Sequence, residues 1–187
     1  MRDDKHSQMF QARIKWMGES VPTLEDVQPE RPRGMIVGLK PAPASVEVGH
    51  YYQGRSGQRQ PLRLADAGLF GRPDFGGTYF ERAALEAGVG FTDVVKRPTR
   101  GEKDVSPNEI KSGRELLNAE FEAHGVSLVI CVFRHPVTAL LGTSGRSGFQ
   151  ARATSWGARV FRMPGPFAAA DEVSHVMADL SRAITTG

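Results

Sequence analysis

The sequence predicts a three-layer α/β/α sandwich with a mainly parallel central sheet. Short apolar segments of strand length alternate with segments of helical periodicity, which is typical of parallel sheets covered by helices on both faces. The longest apolar segment, 126–133, is almost free of polar residues, as expected for a central strand of such a sheet. The length of 187 residues suits one domain.

The composition is that of an ordinary globular protein, with 40% hydrophobic and 24% charged residues. No apolar run approaches the roughly 20 residues needed to cross a bilayer, so we expect no membrane partner. The first residues are polar and show no signal-peptide core. The single cysteine, Cys131, excludes a disulfide within the chain and a cysteine metal cluster. These features favour a cytoplasmic protein.

The N-terminal part is predicted to hold one strand between irregular segments. Residues 1–33 have weak periodicity and three prolines, which indicates an irregular arm with one helical turn around 10–16. The first strand is predicted at 34–39. A loop rich in glycine and polar side chains follows at 40–60, and a helix at 62–69.

Capping signals predict where three later helices begin. Thr78 and Glu81 have the spacing of a capping box. Ser106 and Glu109, with a proline between them, form a stronger helix start of the same kind. Asp171 is expected to cap the last helix. The other predicted elements are a buried segment at 90–95, a helix at 137–141, a mobile loop at 142–157 and a last strand at 160–163.

Polar and aromatic side chains collect where the first strand ends. Lys40 follows the apolar run directly, and Pro41 and Pro43 prevent the sheet ladder from continuing. Ligands of α/β proteins bind outside the carboxyl ends of the strands. The pattern therefore favours a functional site, with a solvated loop around a lone lysine as the alternative. The residues placed at this site are Lys40, Glu47, His50, Tyr51 and Tyr52.

Two loops at strand ends contain stretches that have the form of sequence motifs. In the first loop, residues 38–42 are Gly-Leu-Lys-Pro-Ala and residues 49–52 are Gly-His-Tyr-Tyr. They are similar to the first motif, G-I-N-P-G, and to the G-H-H-Y element that follows it in the uracil-DNA glycosylase superfamily. The run at 90–99 and the second motif at 163–169 extend the likeness, which is nearest the mismatch-specific uracil/thymine branch. The resemblance implies that superfamily's fold over residues 34–187 and a DNA N-glycosylase activity in base-excision repair.

The resemblance also implies residue roles. Lys40 stands where the family has an asparagine that positions the hydrolytic water, and Tyr52 occupies the aromatic position that stacks on the flipped base. The expected base pocket consists of Gly38, Leu39, Pro41, His50, Tyr51 and Tyr52.

A carboxylate that activates water and balances the developing sugar cation suits glycosidic cleavage. Asp93 is the favoured candidate, because in this superfamily the end of its strand faces the pocket, and Glu47 is the second. The alternative for Asp93 is a structural carboxylate that pairs with Lys40 or Arg97.

The arginines are clustered in loops, which is typical of proteins that bind a polyanion such as nucleic acid. The net charge of the chain is nevertheless only +3. Solubilising surface charge is the alternative. Phe167 is predicted to fill the gap left by a flipped base, with core packing as its alternative. The predicted DNA contacts are Arg55, Ser56, Arg59, Arg146, Arg152, Gly165, Pro166 and Phe167.

Four functions remain open at this point. The first is a glycosylase that flips a deaminated or damaged, uracil-like base. The others are a catalytically silent DNA-binding module, a glycosylase/lyase with Lys40 as an amine nucleophile, and an N-glycosidase for free nucleosides. None requires a cofactor, and the five histidines lack the spacing of a metal site. We expect DNA as the partner, a monomer, and association with the nucleoid when DNA is bound.

Overall fold

Seven strands and six helices make up the regular structure of residues 9–186, the part of the chain that the computed structural model describes. The strands are β1 (Gln11–Trp16), β2 (Glu19–Leu24), β3 (Gly34–Gly38), β4 (Val89–Asp93), β5 (Leu128–Cys131), β6 (Gly148–Phe149) and β7 (Arg159–Arg162). The helices are α1 (Pro43–Val48), α2 (Arg55–Asp66), α3 (Glu81–Glu86), α4 (Pro107–Ala123), α5 (Arg134–Leu141) and α6 (Ala170–Thr185).

Five strands form the central sheet in the order β4-β3-β5-β7-β6. The first four lie parallel to their neighbours, and the two-residue β6 is antiparallel to β7 at one edge. All residues of β3 and β4 are buried, as expected for strands covered on both faces. The predicted mainly parallel sheet is thus confirmed.

Neighbouring residues of each strand point to opposite faces and build two apolar cores. On one face, Ile36 and Phe91 pack with residues of α1, α2, α3 and α6. On the other face, Met35 and Val129 pack with residues of α4 and α5. The predicted three layers are therefore present, and the loops at the carboxyl ends of the strands lie between two layers of helices.

The prediction of an irregular N-terminal arm is wrong for residues 11–24, which form an antiparallel hairpin of β1 and β2. Met17 and Gly18 make its two-residue turn, both with positive φ, as such turns require. The helical turn predicted around 10–16 is likewise replaced by β1. Residues 1–8 of the predicted arm lie outside the described residues.

The predicted loop at 40–60 is also wrong, because it contains α1 and the first turns of α2. The helix predicted at 62–69 begins seven residues earlier, at Arg55, and continues through Pro61. Gly49 ends α1 with φ 83°, in the left-handed conformation that glycine adopts without strain. The first motif, residues 38–42, therefore joins the end of β3 to two successive helices.

The capping predictions have mixed outcomes. Ser106 is confirmed as a cap, since its hydroxyl accepts a hydrogen bond from the Glu109 amide and the Glu109 carboxylate accepts one from the Ser106 amide. The Thr78–Glu81 capping box is wrong, because Phe80 is the residue before α3 and no side chain caps that helix. Asp171 lies inside α6 rather than before it. The carboxylate of Glu81 has a different partner, described below.

Two further boundaries differ from the predictions. Helix α5 begins at Arg134, three residues earlier than predicted, and β6 lies inside the segment predicted as a mobile loop. Among residues 9–186, no helix has the length and apolar character needed to cross a membrane.

Candidate functional site

The carboxyl ends of β3 and β4 bring the first motif and Asp93 together. Gly38 pairs with Asp93 in the parallel ladder. The ladder continues one step further, since the amides of Val94 and Val95 donate to the carbonyls of Gly38 and Leu39 at 2.9 and 2.8 Å. The backbone that carries Asp93 is therefore fixed against the backbone that leads into Lys40.

Gly38 makes room for the Asp93 carboxylate. A Cβ atom at position 38 would overlap Asp93 Oδ1 and would lie 3.4 Å from the Tyr52 hydroxyl. Any larger residue at this position would displace one of these two groups. The glycine of the first motif is therefore a steric requirement of the site, and it brings the carboxylate and the phenol close to one another.

Asp93 is a buried carboxyl, with only 6% of its surface exposed. Burial raises its pKa from 3.8 to about 7. The neighbouring charges partly cancel, because Lys96 and Lys40 lower this pKa while Asp26 raises it. The Lys96 ammonium is itself held by Asp26 at 2.6 Å and by the Thr92 hydroxyl at 2.7 Å. Asp93 therefore changes protonation near neutral pH, as a general base or acid must.

Lys40 is half-buried, and its Nζ donates a hydrogen bond to the Thr99 carbonyl oxygen. Burial lowers the pKa of the amine, and this effect outweighs the opposing influence of the carboxylates of Asp93, Glu102 and Asp104. The lysine is thus a positioned cation near Asp93, attached to the loop after β4. At a given pH, a larger fraction of the Lys40 amine is therefore uncharged than for a lysine side chain in water.

Tyr52 lies between the first motif and the core. Its hydroxyl is buried and has no hydrogen-bond partner among residues 9–186. Burial, followed by the charge of Asp93, raises its pKa well above the ordinary value. The ring packs at a tilt against Phe91, with centroids 5.9 Å apart. An unpaired buried hydroxyl costs free energy, so this phenol is ready to bind a polar group that enters the site.

His50 and Tyr51 join the first motif to α3. The Glu81 carboxylate accepts a hydrogen bond from the Tyr51 amide at 2.7 Å and lies 3.2 Å from His50 Nδ1. The ring of Tyr79 stacks on His50 at 3.5 Å, and the Tyr51 hydroxyl donates to the Glu25 carbonyl. These contacts fix the loop, while the base-pocket roles of His50 and Tyr51 remain predictions.

The other residues predicted for the site lie at its margins. Leu39 and Pro41 are buried beside Lys40. Glu47 is exposed on α1, and its backbone carbonyl accepts a hydrogen bond from the Gln11 side chain of the hairpin. No hydrogen bond joins Glu47 to Asp93 within residues 9–186, so its catalytic role stays a prediction.

The second motif is held against α2 by two arginines. Arg59 donates to the carbonyl of Pro166 at 2.9 Å. Arg63 donates to the carbonyls of Pro164 and Gly165 at 3.1 and 2.9 Å. Phe167, at the tip of this loop, is 83% exposed and lies 5.8 Å from the Arg59 guanidinium. The core packing considered for Phe167 is therefore excluded, and its predicted insertion into DNA remains a prediction.

The remaining predicted DNA contacts occupy two places. Arg55 and Ser56 are exposed at the start of α2, close to Arg59. Arg146 and Arg152 are exposed on the segment around β6, where Arg152 donates a long hydrogen bond of 3.4 Å to the Leu141 carbonyl.

Several residues of the site were not predicted from the sequence. Lys96 and Asp26 act on Asp93, Thr99 binds Lys40, and Arg63 fixes the second motif. Arg97, the suggested partner of Asp93, instead pairs with Glu109 at 2.8 Å. The only one of these residues that the sequence could have indicated is Lys96, a charged residue directly after the predicted buried segment 90–95.

A cleft of about 1210 Å³ lies near α3 and includes His50, Tyr79 and Glu81 in its lining, but Asp93 does not line it. No group of three or more histidine, cysteine, aspartate or glutamate side chains in residues 9–186 is arranged to hold a metal ion. The candidate site is therefore the cluster at the ends of β3 and β4.

The fold and this cluster define a three-layer α/β protein with a candidate functional site at the carboxyl ends of a parallel sheet. The model of one family, the uracil DNA glycosylase superfamily, matches residues 25–177. The chain belongs to that superfamily, whose members are typically DNA N-glycosylases. The search of curated proteins found no match to the chain.

Proposed function

We propose that the protein is a DNA glycosylase that flips a deaminated or damaged, uracil-like base and hydrolyses its N-glycosidic bond in base-excision repair. The observation that carries this proposal is the Asp93 carboxyl, buried against Gly38 at the strand ends with a pKa of about 7. Membership of the superfamily supports DNA as the substrate.

In the proposed reaction, Asp93 is the general base. Its carboxylate takes a proton from water while the water oxygen bonds to C1′ of the sugar, and the N-glycosidic bond breaks with its electron pair going to the base. The carboxylate charge also stabilises the oxocarbenium character of the sugar in the transition state. The Lys40 ammonium, which the motif resemblance aligns with the family's asparagine, stabilises the negative charge on the departing base in this proposal.

The test is cleavage of labelled oligonucleotides that carry uracil, thymine opposite guanine, hypoxanthine, xanthine or hydroxymethyluracil, as single and double strands. Strand breaks that need alkali identify a monofunctional glycosylase. Asp93→Asn should lower the single-turnover rate by about 10²- to 10⁴-fold. Asp66→Asn is the matched control, because Asp66 is exposed on α2 and pairs with Arg72.

The pH profile gives a second criterion. The rate should rise about tenfold per pH unit below about pH 7 and level off above it, because only the ionised form of Asp93 accepts the proton. No cleavage of any of these substrates at high enzyme concentration would contradict the proposal and favour a catalytically silent DNA-binding module.

A second candidate, a glycosylase/lyase, is favoured by the lowered pKa of the half-buried Lys40 amine. The neutral amine would attack C1′ while the C1′–base bond breaks with its electrons going to the base. The C1′–O4′ bond would then open as a proton passes from the nitrogen to O4′, and the resulting iminium would permit β-elimination of the 3′ phosphate. Borohydride would then trap a covalent adduct, and Lys40→Ala would abolish it. Breaks without alkali and a trapped adduct would establish this activity, and their absence would exclude it.

The salt dependence of the activity distinguishes an N-glycosidase for free nucleosides from a DNA glycosylase. Binding to DNA weakens steeply as salt concentration rises, because contacts with phosphates release counterions. An activity on nucleosides that does not change with salt, without activity on oligonucleotides, would contradict the DNA assignment.

A further inference from the structure

Phe75 is a fully exposed aromatic residue that the core does not use. Its relative exposure is 107%, the highest among the exposed large hydrophobic residues of the described chain. It lies in the turn Asp74–Gly76 with φ 55°, a conformation that is uncommon for a bulky residue. Such strain and exposure together cost free energy in the isolated protein and point to a use outside it.

The turn that carries Phe75 is connected to α2 through Thr78, three residues further on. The Thr78 carbonyl accepts hydrogen bonds from the side chains of Gln53 and Gln58, at 3.2 and 2.9 Å. Three residues span at most about 10 Å, so only a short segment separates Phe75 from this contact with α2.

Phe167 is carried by a loop that binds the adjacent residue of α2. Gln58 binds the segment that follows Phe75, whereas Arg59 binds the loop that carries Phe167. Consecutive residues of an α-helix point about 100° apart, so the two loops are bound on adjacent sides of the helix. Both exposed phenylalanines thus belong to loops that are attached to the first half of α2.

Arginines accompany both loops. Arg55 and Arg59 are exposed on the first turns of α2, and Arg72 precedes the turn of Phe75. Asp74 is the adjacent acidic residue, and Arg72 is paired with Asp66. Isolated aromatic rings beside arginines match single-stranded nucleic acid, whose bases stack on rings while its phosphates bind cations.

We propose that Phe75 stacks on an unpaired base of the bound DNA, so that the start of α2 holds unstacked nucleotides between Phe75 and Phe167. The class of substrate is therefore DNA with unstacked bases, either single strands or duplex opened at a lesion, in preference to intact duplex. This inference rests on the proposed use of DNA but does not require catalysis.

The test is fluorescence anisotropy with a labelled single strand and with a duplex that contains an abasic-site analogue. Phe75→Ala should weaken binding to both by about fivefold or more, as expected for loss of one stacked base. Leu116→Ala is the matched control, since Leu116 is an exposed apolar residue on α4. Phe75→Trp should retain the affinity, and its added fluorescence should be quenched by DNA.

The result also has a signature in salt dependence. Phe75→Ala should leave the slope of affinity against salt unchanged, because a ring releases no counterions, whereas Arg55→Ala should reduce it. Equal affinities of Phe75→Ala and the unsubstituted protein would overturn the inference and leave the proposed function standing. No DNA binding by the unsubstituted protein would overturn both.

Discussion

Replacing Asp93 by asparagine tests whether the buried carboxyl destabilises the native protein at neutral pH. Burial raises the pKa of Asp93 from 3.8 to about 7. Between these two values, the native state holds a proton that the unfolded state has released. The free energy of unfolding therefore falls as the pH rises through this window, and the loss is complete above about pH 7.

The size of the effect follows from the pKa shift. Each pKa unit corresponds to about 1.4 kcal/mol, so the full shift is worth about 4 kcal/mol. Roughly 2–3 kcal/mol of this is lost between pH 5 and pH 8. Asparagine has nearly the same shape and does not titrate, so its packing cost is the same at both pH values. We expect the Asp93→Asn variant to gain about 2–3 kcal/mol relative to the unsubstituted protein from pH 5 to pH 8.

Urea denaturation at pH 5, 6, 7 and 8 measures this gain, with unfolding followed by circular dichroism. Asp66→Asn serves as the control, because Asp66 is exposed and its replacement should leave the pH dependence unchanged. At each pH, the free energy of unfolding of the unsubstituted protein is subtracted from that of Asp93→Asn. The prediction concerns how this difference changes with pH. A difference that stays constant from pH 5 to pH 8 would show that Asp93 is ionised throughout and would refute the proposed electrostatics of the site.

Three other substitutions test the packing and the ion pairs of the structure. Gly113→Ala should destabilise the protein by at least about 2 kcal/mol in urea, since its Cβ would overlap the Val94 carbonyl, whereas Gly71→Ala, with open space around it, should have little effect. Glu109→Gln should cost about 2–3 kcal/mol at pH 7. Its ion pair with Arg97 lowers the Glu109 pKa from 4.5 to about 2, so this cost should shrink in acid-denaturation experiments as the pH falls toward 2. Arg63→Ala should increase hydrogen exchange at the amides of Gly165, Phe167 and Ala168 without changing exchange in β3, and unchanged exchange in the loop would contradict the anchoring role.

The sheet was predictable because its central strands are buried on both faces and read as uninterrupted apolar runs. The hairpin was not predicted, although β1 alternates polar and apolar residues and ends at the Met17-Gly18 turn. Pro22 obscured the pairing strand β2. A proline is tolerated there because the hairpin is a separate two-stranded sheet in which each strand has a free edge.

The start of α2 was hidden by residues that disfavour helices. Gly57 and Pro61 both lie inside it. A Cβ atom at position 57 would lie 2.7 Å from the Tyr52 carbonyl oxygen. The glycine therefore lets the helix pack closely on residues 49–52, the Gly-His-Tyr-Tyr element. This packing contact outweighs the low helix propensity of glycine. A sequence pattern reports the propensity but does not report the contact.

The candidate site was predictable only in part for a similar reason. Lys40 could be identified because it directly follows a buried apolar run, and Asp93 because it is a charged residue inside one. Asp26, which acts on Asp93, lies 67 positions earlier in a segment without clear periodicity. Glu81 has the spacing of a helix cap, yet its carboxylate binds the Tyr51 amide, a contact between residues 30 positions apart. Such long-range pairings depend on the fold and leave no local pattern.

The anchoring of the second motif by Arg59 and Arg63 has a consequence for how this part of the protein can vary. Both guanidinium groups bind backbone carbonyl oxygens, which every amino acid provides. The position of the loop is therefore insensitive to the side chains that it carries. The loop carries glycine, proline and phenylalanine, and these hydrogen bonds attach it to α2 without using any of these side chains. Exchanging residues 165–168 should thus alter what the loop touches in a bound partner while its place beside α2 is kept.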